Sequence, residues 1–326
     1  MDEIPLASLE EDAAAFDAAA LASRGVDHYC SSSAWVVPAH AAFHARNAPL
    51  VLRSSHGFAA LARGVADTLG RYMAPLEAMW GLACPLLGAD PARLARDFYR
   101  AMNSRRAEWD AIWLAGLEAR GPLFEAVAAL FATTCTLRWG PVSNRYAASL
   151  AGGVDAFLAR RSPKFRANLR RAVRQAAAEG VTFDALDPAS PPAPADLYAR
   201  VLAVEARSWK GLSGAGIDAG DMRTFYDRTL ALIVPRGQCR AVFARKDGED
   251  VGFIFGGVLG DTYRGLQVSF DDRFRALSLG NVLHYAMIER LCAEGIGVYD
   301  LGSEIEYKAR WAEGGISTCT LVALRR

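Results

Sequence analysis

Several things are scarce in this chain, and each scarcity removes a class of function. Neither sign of charge is in excess: 37 Lys and Arg face 36 Asp and Glu, a formal net charge of +1. No attraction of the whole molecule to nucleic acid or to an acidic membrane is implied, so any such affinity has to be local. Cysteines at metal or redox spacing are missing. Cys30, Cys84, Cys135, Cys239, Cys292 and Cys319 form no CxxC and sit mostly among apolar neighbours, as buried reduced thiols do. No stretch approaches the roughly 18 uninterrupted apolar residues of a membrane span. The opening MDEIPLASLEEDAAAF is acidic, where a signal peptide is basic and then apolar. The expectation is a soluble cytoplasmic protein with no membrane span. HExxH is absent too. His40 and His44, at i and i+4, place two imidazoles on one helix face as a metal site requires, but no acidic third ligand follows at helical spacing. A structural or surface role is expected for both, and no metal.

What is present is apolar material for more than one core: 52% of 326 residues, where domains of roughly 150 residues are common. The first half alternates an Ala-rich helix (Leu9 to Ser23), a helix capped by Ser31 to Ser33, two short strands (Ala48 to Arg53, Gly57 to Arg63), a helix from Pro91 with Asp90 as N-cap, a buried strand (Ala111 to Leu117) and a helix (Leu123 to Thr133). No repeated polar constellation with chemistry emerges from it.

The middle carries RRSPKFRANLRRAVRQAAAEG. Ser162 is the N-cap, Pro163 the first helical residue and Gly180 the stop. Phe165, Leu169 and Val173 form an apolar stripe; Lys164, Arg166, Arg170 and Arg174 belong to a group of seven basic residues between 159 and 174 with no acid among them. Two readings stay open, a solvated face and a contact surface for a polyanion such as a carrier protein, tRNA or nucleotide. Thr136 to Pro141 and Tyr146 to Leu150 lead into this helix; after it a strand at Val181 to Ala185 and helices at Ala195 to Trp209 and Met222 to Val234 precede a three-strand meander: Gln238 to Arg245, Val251 to Leu259 and Thr262 to Phe270. A turn bearing Arg275, Ser278 and Gly280 then leads into a helix over Asn281 to Glu294. Its free N–H groups and positive dipole end suit a phosphate. A further strand, a polar segment with Glu304, Tyr307 and Lys308, and a closing strand Ile316 to Leu324 complete the chain.

Three pieces, SPKFRANLRRA, LSLGNVLHYAMIERLCAEGIGVYDLG and EYKARW, resemble the GNAT acyltransferase fold, in its branch related to CelD/BcsL-type acyltransferases and FemAB peptidoglycan aminoacyltransferases. The resemblance implies α/β tandem GNAT-like (FemAB-like) domains with mixed, mostly antiparallel sheets flanked by helices. A degenerate N-terminal copy would cover 1–155 and a C-terminal acyltransferase domain 156–326. The family's donor motif R/Q-x-x-G-x-G/A matches RALSLG, Arg275 to Gly280, with Ser278 in place of the first glycine. Arg275, Ser278, Leu279, Gly280 and Asn281 would surround the donor's pyrophosphate, while Gln267, Val268 and Ser269 would run along its pantetheine arm. Lys308 matches a family lysine that supports the transferring carbonyl.

Acyl transfer to an amine also needs a base and an acid. Glu304 and Asp300, at the end of the second strand, are the candidate bases, and Tyr307 or Tyr263 the acid. Against these stand simpler roles: Asp300 as a strand-end cap, Glu304 and Lys308 as an i, i+4 ion pair, and Trp311, Tyr299 and His284 as packing residues. The expected function is N-acyl transfer from acyl-CoA or another acyl thioester, such as an acyl carrier protein, to a small-molecule or peptide amine. The alternatives are an aminoacyl-tRNA-dependent transferase extending a peptide and a non-catalytic binding module on the same fold.

Overall fold

The computed structural model describes residues 1–326, which form two compact units, residues 1–144 with 316–326 and residues 145–315. This split differs from the expected 1–155 and 156–326. The last strand, Ser317–Arg325, pairs antiparallel with two strands of the first unit, so its apolar face is buried there.

In the first unit the strands are β1 (Asp2–Ile4), β2 (Ala48–Ser54), β3 (Gly57–Ala66), β4 (Gly70–Pro75), β5 (Leu86–Leu87), β6 (Ala111–Glu118) and the start of β7 (Cys135–Ser149). They order as β1-β2-β3-β4-β6, then the last strand, then β7, with β4 and β6 parallel and the other neighbours antiparallel. The helices are α1 (Ser8–Glu11), α2 (Ala13–Ala22), α3 (Ser33–Phe43), α4 (Pro91–Ser104) and α5 (Pro122–Phe131). Asp90 caps α4 by accepting from Ala92 N and Arg93 N at 3.1 and 3.0 Å. His40 is buried and bonds through Nε2 to Asn47 O at 2.9 Å, and His44 is the residue that closes α3.

β7 is one unbroken strand from Cys135 to Ser149. Gly140 and Pro141 fall at a register shift opposite the last strand, and a bulge is where a strand tolerates a proline that cannot donate to the ladder.

The second unit holds the rest of β7, then β8 (Thr182–Ala185), β9 (Cys239–Lys246), β10 (Glu249–Leu259), β11 (Thr262–Phe270) and β12 (Val298–Ser303). Their order is β7-β12-β11-β10-β9-β8, antiparallel except for β11 with β12. Helices α6 (Gly153–Ala159), α7 (Pro163–Ala178) and α11 (Leu279–Ala293) cover one face; α8 (Pro194–Glu205), α9 (Trp209–Leu212) and α10 (Gly220–Ile233) belong to the other side of the chain's α/β pattern. β10 explains the two-sided cover. Its run Val251 to Phe255 is buried throughout, as a strand packed on both faces must be. Ile254 joins the core with Leu283, Met287 and Leu291 of α11, while Phe255 meets Tyr226 of α10 at 5.8 Å between centroids.

Ser162 caps α7 as its sequence predicts, accepting from Phe165 N at 3.2 Å. The helix expected over Ala195 to Trp209 instead stops at Glu205. Arg207 is pulled to Asp271 at 2.8 Å, Ser208 bridges to Asp271, and the Ser208 hydroxyl caps α9 at Gly211 N. Gly211 has to be glycine there, because a Cβ would lie 2.2 Å from Glu205 O.

Candidate active site

The site begins where two parallel strands part. β11 and β12 pair only at Thr262↔Val298, Tyr263↔Tyr299 and Arg264↔Asp300. Beyond them β11 runs on to Phe270 with β10 as its only strand partner. β12 is diverted by a register shift between Asp300 and Gly302 as it follows β7. Gly302 takes φ +83°, and a Cβ on it would lie 3.2 Å from Arg264 Nη2 and 3.5 Å from Lys308 Nζ. Glycine therefore lets the chain turn while two cationic side chains crowd it.

A cleft of about 620 Å³ opens along the unpaired edge of β11. Gln267, Val268 and Ser269 line one wall, Ser278, Gly280 and Asn281 the start of α11, and Tyr307 and Lys308 the polar segment after β12. Lys308 Nζ donates to Ser303 O at 3.2 Å. Burial pushes its ammonium down to about 8, the Arg264 charge adds to that, and Asp300 opposes it. Burial raises the Tyr307 phenol, so its proton is retained.

Lys210, from α9, enters the same cleft and donates to Gln267 Oε1 at 2.7 Å and to Val268 O at 3.2 Å. Its ammonium lies 3.6 Å from Glu205, whose side chain is fully buried. Burial lowers the Lys210 pKa, with Glu205 holding it up in part. Gln267 in turn donates to Tyr226 OH at 2.7 Å, so the edge of β11 is braced from α9 and α10.

A second cleft of about 630 Å³ lies against α7 and shares Ser278, Asn281 and Arg310 with the first. Its walls are basic: Arg160, Arg161, Lys164, Arg171 and Arg310. Two of these are already engaged, since Arg160 and Arg161 bond to Glu313 Oε1 at 3.0 and 2.5 Å. Ser278 sits between the clefts at φ +54°, in the left-handed region, as the residue that opens α11.

The clefts thus gather Gln267, Val268, Ser269, Ser278, Gly280, Asn281, Tyr307, Lys308 and Lys164 among the residues expected from sequence. Others stand apart. Arg275 pairs with Asp272 at 2.7 Å, and Leu279 is buried in the core. Asp300 is bound by Arg264 at 2.6 Å, and its other oxygen accepts from Gly302 N at 2.7 Å. Glu304 Oε1 accepts from Tyr146 OH at 2.8 Å. Arg166 turns back to carbonyl oxygens, Arg161 O at 2.9 Å among them, while Arg170 and Arg174 are exposed on α7. Tyr263, Tyr299 and Trp311 are buried.

Sequence reasoning passed over Lys210, Arg310 and His284 as cleft residues, while Arg171 was one of the seven basic residues read as a candidate polyanion contact. Arg310 lies inside the EYKARW piece and was within reach; Lys210 has no local pattern to mark it.

Residues 163–309 match the family model described as an acetyltransferase (GNAT) domain. No curated protein matches the chain. Among solved structures, a conserved protein of unknown function from Bacteroides thetaiotaomicron aligns with TM-score 0.63 at 12% identity, over 99% of each chain. FemX aligns with TM-score 0.62 at 11% identity, over 98% of this chain and 97% of its own. L-PGS from Bacillus licheniformis aligns with TM-score 0.50 at 12% identity, over 86% and 84%. At such identities these likenesses speak to the fold, which is of the FemX type. Residues 163–309 are thus a GNAT-type acyltransferase domain, in a chain whose fold is that of FemX.

Proposed function

We propose that this chain is an N-acyltransferase that takes an acyl group from acyl-CoA, or from an acyl carrier protein, and delivers it to an amine of a small molecule or peptide in the cytoplasm. The observation that carries the reading is the meeting of a basic cleft and a mostly apolar one at Ser278, Asn281 and Arg310. A phosphorylated thioester has those two parts in that order. Its phosphates suit Lys164, Arg171 and Arg310 with the free amides at the start of α11. Its arm suits the open edge of β11 at Gln267, Val268 and Ser269.

In the reaction the amine attacks the carbonyl carbon, a C–N bond forms, and the carbonyl electron pair moves to oxygen. Lys308 as an ammonium stabilises that oxyanion. The amine proton is assigned to Glu304, which has to swing from its bond with Tyr146 into the cleft to accept it. Collapse returns the pair, breaks the C–S bond, and the thiolate takes a proton from Tyr307. Asp300 holds Arg264 and the turn that carries Lys308. The first unit is read as a degenerate copy of the same domain, and the narrower kinship is with the CelD/BcsL-type branch.

A second reading, transfer of an aminoacyl group from tRNA to a peptide, is favoured by the exposed Lys164, Arg170, Arg171 and Arg174 along α7. Thiol release from acetyl-CoA with a panel of primary amines tests the first reading, and loss of label from aminoacyl-tRNA tests the second. Glu304→Ala and Lys308→Ala should each cut turnover tenfold or more with the circular dichroism unchanged. Undiminished rates remove those roles.

A further inference from the structure

The geometry points to His284 as a second electrophile of the acyl-transfer cleft, a neutral imidazole whose Nε2–H donates to the oxygen of the transferring carbonyl as that oxygen gains charge. This inference rests on the acyl-transfer reading above.

His284 stands on the second turn of α11 and lines the cleft with Val268, Tyr307 and Lys308. Its Nδ1 lies 2.7 Å from Tyr299 OH, and both side chains are buried. That contact is the hydrogen bond Tyr299 makes, and a buried hydroxyl places its hydrogen on an acceptor. The hydroxyl therefore donates and Nδ1 accepts. A neutral imidazole that accepts at Nδ1 carries its hydrogen on Nε2. The Nε2 atom is itself buried and has no hydrogen-bond partner.

An unpaired buried N–H is costly. A carbonyl oxygen placed against it relieves that cost, and an oxyanion relieves it more, which is the differential binding that speeds a reaction. Trp311 packs on the ring at 5.1 Å between centroids and Tyr307 at 6.5 Å, so the imidazole is held in one orientation.

The groups that face His284 are Tyr299 from β12 and Tyr307 and Lys308 from the following segment. Burial pushes the imidazole down to about 3, and the Lys308 charge acts in the same direction. Burial likewise raises Tyr299, so its hydroxyl keeps the proton it donates. The ring stays uncharged at working pH and does not repel Lys308. No proton leaves it during turnover: the amine attacks, the carbonyl electron pair rests on an oxygen bonded to Nε2–H, and the pair returns as the C–S bond breaks. The amine's proton leaves by the path already described.

Two measurements test this on the full chain. Long-range ¹H–¹⁵N spectra of protein labelled in histidine should show the Nε2–H tautomer for His284, unchanged from pH 8 to pH 5. A Nδ1–H tautomer, or titration near the ordinary imidazole range, overturns the proposal. In steady-state transfer from acetyl-CoA, His284→Ala should lower kcat by about 10²–10³ with the KM for donor within about twofold. His284→Gln, whose amide N–H stands near Nε2–H, should recover at least about tenfold of that loss. A rise in KM with kcat intact, or no recovery with Gln, overturns it. If His284→Ala does not fold, the Gln variant and the tautomer carry the decision. A wild-type chain that releases no thiol defeats the thioester reading alone. The same variants are then compared in aminoacyl-tRNA transfer, which passes through the same oxyanion.

Discussion

Arg264 and Asp300 form an ion pair, Nη1 to Oδ2 at 2.6 Å, across the last rung that joins β11 to β12. Their side chains are 5% and 13% exposed, so the pair stands at the point where the strands part and fixes how far they open. It also explains why a carboxylate in the YDLG piece is a poor candidate for a free base: both Asp300 oxygens are engaged, one by Arg264 and one by Gly302 N.

Replacing Asp300 by Asn should therefore show first as lost stability. Removing one member of a buried pair strands the other charge, at about 3–5 kcal/mol. Urea unfolding of Asp300→Asn should reveal a loss of that order, and the double change Asp300→Leu with Arg264→Met should recover most of it, because two well-packed apolar groups need no partner. An Asp300→Asn variant as stable as the parent would remove the pair from the account of the cleft.

Lys308 sets a pH dependence whose sign can be worked out. Its ammonium lies at about 8 in the fold against an ordinary value of 10.5, chiefly through burial. Above about 8 the folded chain sheds this proton while the unfolded chain keeps it to 10.5, so this group makes stability rise with pH across that window. On the proposed role, in which the charged form stabilises the oxyanion, catalysis should run the other way and kcat should decline as pH passes about 8. Lys308→Arg, which stays protonated, should extend the plateau upward. A wild-type rate that keeps climbing beyond that point would show that the neutral amine is the working form.

On α7 the basic residues divide by what already holds them. Arg166 bonds to the carbonyl oxygens of Leu158 and Ala159 in the last turn of α6 and of Arg161 just past it, whereas Lys164 and Arg171 line the basic cleft. Lys164→Ala and Arg171→Ala should weaken donor binding and reduce the slope of log K against log salt by about 1 each if they neutralise a phosphate. Arg166→Ala should cost stability and leave that slope nearly unchanged. Titrations at several salt concentrations separate the two, and identical slopes in all three variants would place the phosphates elsewhere.

The elements that sequence pattern reached are those whose signals are local. The Ser162 cap with Pro163 begins α7 and Asp90 begins α4, each from side-chain and backbone preferences within a few residues. Its misses have distant causes. α8 stops because Arg207 and Ser208 are drawn to Asp271, more than sixty residues away. β7 accommodates Pro141 because it bulges there against the last strand, itself contributed from the far end of the chain. Within the site, Gln267, Val268, Ser278, Gly280 and Lys308 were legible because strand, turn and helix follow one another in the chain. Lys210 reaches β11 from a helix of four residues, and no pattern in WKGL announces it. His284 was read as a packing residue, and it is packed; only its contact with Tyr299 shows which nitrogen is left over.

Ser278 offers the sharpest test of the donor site, because it departs from the glycine of the RxxGxG motif yet takes the conformation that a glycine would. At φ +54° and ψ +37° it is left-handed, which costs a residue with a Cβ about 1–2 kcal/mol. Glycine would relieve that strain but lose about 0.5–1 kcal/mol to its freer unfolded chain. Ser278→Gly should thus be neutral to about 1.5 kcal/mol more stable. It should also bind acyl-CoA at least as well, since a bare backbone lets the first amides of α11 approach phosphate closely. Ser278→Val, β-branched in the same conformation, should be destabilised and should raise the donor KM about tenfold. Thermal unfolding and donor titration on the three proteins give the answer. If the glycine variant binds donor more weakly than the parent, the serine hydroxyl is itself a donor ligand, and the chain has replaced a backbone contact with a side-chain one at the junction of its two clefts.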